Sequence, residues 1–204
     1  MNTGQKIPIQ SINSKYLKFK KSICAQCNNQ TTQQSDYSYD TFRDNETGKT
    51  KELLLLKPKK PISLSKILNS KYQDYLDLLR YFAKTLGYQI HNNKFPIPRR
   101  LSHFVYRKIN HPPISVSIGL APFKFYESNT NYAHDIDGIG GIALQLSKNI
   151  IFEPDLYQTT FMTDGLQFII SMNLSLLESL EIRLFYRKKW EKFNMDYRKT
   201  KLNT

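Results

Sequence analysis

Hydrophobic and polar positions divide the chain into apolar or basic blocks separated by polar stretches. The clearest periodicity is helical. Tyr72, Tyr75, Leu76, Leu79, Ala83 and Leu86 recur at three- and four-residue intervals, which places them on one face of an α-helix. Ser70 stands ahead of that helix as a cap, Gln73 completes a capping box, and Gly87 reads as its stop. Strict alternation over 114–120 predicts a strand, as does Lys-Glu-Leu-Leu-Leu-Leu-Lys at 51–57, stopped by Pro58 and Pro61. Further strands are expected over 5–21 (one or two short ones), near 142–152 and near 166–174. A last helix begins near Ser175, with Glu178 three residues on, and runs into the basic end Arg187, Lys188 and Lys189, where cations complement the helix dipole. The stretch 24–50, rich in Asn, Gln and Thr, reads as a long exposed loop. Asp137-Gly-Ile-Gly-Gly141 reads as a hairpin turn, with glycine supplying the unusual backbone angles.

Helices lying between strands rather than clustered apart indicate an α+β fold. The expectation is a mixed, mostly antiparallel sheet backed by helices, in a single domain over 1–190 with a basic tail at 191–204. Two long insertions, about 22–50 and 91–131, interrupt it.

Composition narrows the class of partner. Lys and Arg number 30 against 17 Asp and Glu, a formal charge of +13. Each phosphate neutralised by such side chains releases condensed counterions, so a polyanion is expected. Nucleic acid and an anionic membrane surface both satisfy that. No apolar run approaches the roughly 20 residues of a membrane span, so no membrane insertion is expected. Two cysteines, Cys24 and Cys27, offer no disulfide framework and only half a zinc site, so unpaired loop thiols and no metal are expected. The abundance of Asn, Lys, Ile, Tyr and Phe hints at an AT-rich, organelle-encoded gene. No nucleophile–base arrangement or paired carboxylates stand out, so no catalytic residues, cofactor or enzymatic activity are assigned.

The candidate chemistry begins at the N-terminus. Thr3-Gly4-Gln5-Lys6 is followed, fourteen residues after Gln5, by Phe19 in the basic run Lys15, Lys18, Lys20 and Lys21. An amide to read a base edge or ribose, an aromatic platform and flanking lysines make an RNA surface. In the second half, Asp137-Gly138-x-Gly140, Ile150-Ile151-Phe152, Asp164-Gly165, Phe168-Ile169-Ile170 and Glu178 follow in order. This order and spacing resembles large-subunit ribosomal protein five, the family that binds 5S ribosomal RNA at the central protuberance. The resemblance covers about half of the chain.

What the resemblance implies is a structural ribosomal protein of a mitochondrial large subunit, working in the mitochondrial matrix. Gln5, Lys6, Lys15, Lys18, Phe19, Lys20 and Lys57 would contact ribosomal RNA, 5S or its replacement. The turn at Asp137, Gly138 and Gly140 would face the small subunit, toward its protein thirteen. Neighbouring large-subunit proteins and the peptidyl-site transfer RNA are the other implied partners. Departures qualify the match. A Thr that the family uses for RNA contact is replaced near Leu55, and the loop toward the transfer RNA is swollen to about 22–50. Larger still, the family's elements ahead of Thr-Gly-Gln have no counterpart here, and 91–131 is inserted. Either the 114–120 strand or a separate chain would fill the vacant sheet position.

Arg99, Arg100, Arg107 and Lys124, interleaved with Phe104, Tyr106, Phe123, Phe125 and Tyr126, form a second RNA face or the solvated rim of a packed insertion. Trp190 beside Lys188 and Lys189 either stacks on a base or packs under the last helix. The alternative function, from another class, is a basic accessory subunit of a membrane-associated organellar complex, non-catalytic and held by protein contacts.

Overall fold

The structure is a computed structural model, and it describes residues 30–56, 61–68, 72–120, 145–148, 154–186 and 188. Its elements run α1 (Gln33–Leu56), β1 (Ile62–Ser63), a 3₁₀ turn (Leu64–Lys66), α2 (Tyr72–Asn92), α3 (Arg99–Val105), β2 (Ser115–Leu120), β3 (Gln145–Lys148), β4 (Pro154–Thr163), β5 (Leu166–Asn173) and α4 (Leu176–Phe185). The strands form one sheet in the order β1-β2-β5-β4-β3, and every described pairing is antiparallel. The α+β expectation is met, and no parallel pair makes the described sheet mixed.

The sheet grows from a hairpin. β4 and β5 are joined by Asp164 and Gly165, both with positive φ (46° and 74°), the two-residue turn whose twist matches flanking strands. Alternation then assigns one face to the core. Ile118 lies opposite Phe168, Val116 opposite Ile170 and Tyr157 opposite Met172, and all six are buried. The Phe42 ring of α1 and the Phe82 ring of α2 meet Phe168 on that face, at 6.0 and 5.3 Å between centroids. The opposite face carries half-buried Ser117, Gln158, Thr160, Gln167 and Ser171, with Gln158 donating to Ser171 at 3.0 Å.

Several sequence expectations need correction. The presumed loop at 24–50 is, from Gln33 onward, the helix α1, and the leucine run at 53–56 closes that helix instead of forming a strand. Its buried positions are Ser35, Tyr39, Phe42, Thr47, Thr50 and Leu54, a helical spacing carried half by hydroxyl side chains. Tyr39 stacks on Tyr81 of α2 at 4.0 Å, and Lys84 pairs with Asp36, so the first turns of α1 are tied to the middle of α2. Gly87 does not stop α2, which runs on to Asn92. A Cβ there would stand 3.6 Å from Leu101, so the glycine lies where α3 crosses α2 closely. The region 91–131, read as an insertion, supplies α3 and the inner strand β2, which lies between β1 and β5. β4, ten residues long, was not foreseen.

The capped start of the last helix is as expected, but α4 closes at Phe185, with Tyr186 as its C-cap, short of the basic residues 187–189. Ser175 accepts from the Glu178 amide while the Glu178 carboxylate accepts from the Ser175 amide, the reciprocal capping box.

Candidate nucleic-acid interface

Between Leu78 and Tyr126 the sequence contains no Asp or Glu, yet it holds eight Lys and Arg and three of the four His. The part between Lys94 and His111 is a ribbon of exposed or half-exposed cations and imidazoles: Lys94, Arg99, His103, Arg107, Lys108 and His111.

Two helix ends build this ribbon, and each ends the same way. Phe95 N–H donates to the Ile90 carbonyl at 3.1 Å and Lys94 N–H to the His91 carbonyl at 2.7 Å, with Lys94 at φ 58°. Lys108 N–H donates to the His103 carbonyl at 2.8 Å and Arg107 N–H to the Phe104 carbonyl at 3.1 Å, with Arg107 at φ 60°. Both are Schellman closures, in which the left-handed position usually belongs to glycine. Here each is a cation. A side chain with a Cβ pays for that conformation on the order of 1 kcal/mol relative to glycine, although positive charge at a helix C-terminus recovers part of it.

A buried ionic cluster fixes the second turn in place. The Arg80 guanidinium, almost wholly buried, donates to Asp77 at 2.6 Å, to the Phe104 carbonyl at 3.3 Å and to Asn110 at 2.9 Å. Arg107 reaches the same Asp77 carboxylate at 2.7 Å from the outside. Arg80 also lies over the Phe104 ring, 5.2 Å from its centroid. One carboxylate thus faces two guanidiniums, so the cluster keeps an excess positive charge, and Arg107 presents it at the surface.

Of the remaining cations, Arg100 is engaged inward, donating to Glu178 at 2.8 and 3.2 Å and to the Asn173 carbonyl. Burial desolvates the Glu178 carboxyl and pushes its pKa upward, but the hydrogen bonds from Arg100 and Ser175 outweigh that and hold it below the ordinary value. Arg99 donates to His103 Nε2 at 3.3 Å, one turn along α3. Lys94, Arg99 and Lys108 enter no ion pair among the described residues.

Of the two alternatives for Phe104, a stacking surface or part of a packed core, burial bears out the core. The other aromatic of the 99–126 set among the described residues, Tyr106, next to Arg107 in the chain, is exposed. Lys94, Lys108 and the histidines were missed, although the absence of acids from 78 to 126 was there to be read. Gln5, Lys6, Lys15, Lys18, Phe19, Lys20, Lys57, Asp137, Gly138 and Gly140 all lie outside the described residues, as do Cys24, Cys27, Lys124 and Trp190.

Charge is distributed unevenly. The described residues hold 14 of the 30 Lys and Arg and 11 of the 17 Asp and Glu. Most of the +13 therefore belongs to the remaining sequence, including five lysines and no acid in residues 1–29.

No family model, curated protein or solved structure matches this chain.

Proposed function

We propose that this chain is a structural RNA-binding protein of a large ribosomal subunit, seated at the central protuberance of a mitochondrial ribosome and without catalytic activity. The observation that carries the RNA-binding part is the acid-free ribbon from Lys94 to His111. Cations at two left-handed helix closures accept a conformational cost that glycine would avoid. Exposed Arg99 and Lys108 add two cations that enter no ion pair among the described residues, and exposed Tyr106 precedes Arg107 in the chain. The ribosomal assignment rests on the ordered motifs from Thr3-Gly4-Gln5 to Glu178 and their resemblance to large-subunit ribosomal protein five. Under this reading the N-terminal lysines and Phe19 form a second contact with ribosomal RNA, and the Asp137–Gly141 turn faces the small subunit.

Binding of the full chain to structured RNA, measured across salt concentration, tests the reading. Each phosphate contact contributes about 0.7–0.9 to the log–log salt slope. The triple variant Lys94→Gln, Arg99→Gln and Lys108→Gln should lower that slope by about two to three. An unchanged slope removes the ribbon from the interface. Gln5→Ala and Phe19→Ala should each weaken binding, the aromatic by about 1–3 kcal/mol. Sedimentation of the native protein apart from any large-subunit particle, or with an assembly that survives nuclease intact, would refute the ribosomal reading.

A further inference from the structure

The last helix is amphipathic in an unexpected sense. α4 turns Ser179 and Ile182 into the fold, where the Ser179 hydroxyl donates to the Pro154 carbonyl. Its outward surface carries Leu176, Leu177, Leu184 and Phe185 at 68, 78, 70 and 78% exposure. With half-buried Leu180, positions 176, 177, 180 and 184 form one stripe along the helix, and Phe185 extends it at the C-terminal end. Exposed large apolar side chains are ordinary singly; a continuous stripe marks an interaction site.

We infer that this face docks on an anionic lipid surface, its leucines and phenylalanine entering the headgroup–acyl boundary and its cations meeting lipid phosphate. Charge supports that occupant. Arg183 flanks the stripe, and Lys188, exposed, lies just past its end. Residues 187–204 that continue the chain carry seven Lys and Arg against two Asp and Glu. Glu178 is occupied internally by Arg100, which leaves Glu181 as the acid on the outer surface of α4. Size argues against a protein occupant: five side chains fall well short of the roughly 20–30 residues per partner in a stable interface. No described helix is long and apolar enough to cross a membrane, so α4 would lie in the interface plane.

The experiment is flotation of the full chain with vesicles of phosphatidylcholine alone or with about one quarter phosphatidylglycerol. The chain should float with the anionic vesicles and stay partly bound at high salt, where a purely electrostatic contact is lost. The double variant Leu177→Glu, Leu184→Glu should bind them at least about tenfold more weakly, while melting and binding RNA like the unaltered chain. RNA binding is read separately, so failure here leaves the ribbon reading standing. Equal flotation of the variant overturns the proposal, because polycationic adsorption alone would then explain binding. So does a wild-type chain that ignores vesicles but forms an oligomer that the double variant dissolves, which would assign the stripe to a second copy.

Discussion

Asp77 and Arg80, one turn apart on α2, form an ion pair at 2.6 Å with side chains only 4% and 2% exposed. The pair matters because of what it holds: Arg80 reaches Phe104 and Asn110, and Asp77 reaches Arg107, so α2 is bonded to both ends of the turn that leads from α3 to β2. Asp77→Ala strands two guanidiniums, one of them buried, and should cost about 3–5 kcal/mol in a urea unfolding experiment. The double replacement Asp77→Leu with Arg80→Met should recover much of that loss, because it removes the uncompensated charge along with the pair. A double variant as unstable as the single one would show that the bonds to Phe104 and Asn110 dominate.

Glu178 should give the fold an acid-side weakness. Its folded pKa lies below the ordinary carboxylate value, so the stabilisation is complete above the unfolded value near about 4.3 and is lost as pH falls through the folded pKa. Thermal melts of Glu178→Gln should fall less steeply than wild type over that acidic window, and the variant should be less stable at neutral pH by about 1 kcal/mol from the weakened cap. Parallel curves for the two proteins would place the acid sensitivity elsewhere.

Lys94→Gly separates structure from function at one position. Glycine is at ease at φ 58°, so the variant should be more stable by up to about 1 kcal/mol. It should also lose one phosphate contact, lowering the salt slope of RNA binding by about 0.7–0.9. A gain in stability with unaltered RNA binding would make Lys94 a helix terminator and nothing more.

Thr159 occupies a fully buried position on the core face of β4, opposite Ile170, and its hydroxyl meets no hydrogen-bond partner among the described residues. Thr159→Val keeps the shape and removes an unsatisfied polar atom, so the denaturation midpoint should rise by the equivalent of about 1 kcal/mol. A fall would mean that the hydroxyl is bonded.

Elements that follow apolar periodicity were legible from the chain alone. The Tyr72–Leu86 spacing gave α2, the alternation over 114–120 gave β2, and the Ser175–Glu178 box gave the start of α4. α1 was not, because Ser35, Thr47 and Thr50 hold core-facing positions that hydropathy reads as polar. Leu55 and Leu56, which looked like half a strand, are exposed at its end. β4 escaped for a related reason: Thr159 occupies a buried place that hydropathy reads as polar. The ribbon was only partly visible. Helix ends are sought at glycine, so Lys94 and Arg107 concealed two closures and the true extent of α2, and sequence alone could not choose between a stacking and a core role for Phe104, which fills the core.

The Asp164–Gly165 turn also sets an order of events. Two strands joined by a two-residue turn can zip within about 1–10 μs, whereas β2 must be brought to β5 across the sequence between 120 and 166, with the closure entropy that entails. The β4–β5 ribbon should thus form first, and β2 with the helices that cover Phe168 should pack onto it afterwards. Strain at the turn should therefore be felt early: Gly165→Ala should mainly slow refolding, while Ile118→Val should mainly hasten unfolding. The tightest bend in the sheet is in that sense its starting point in time.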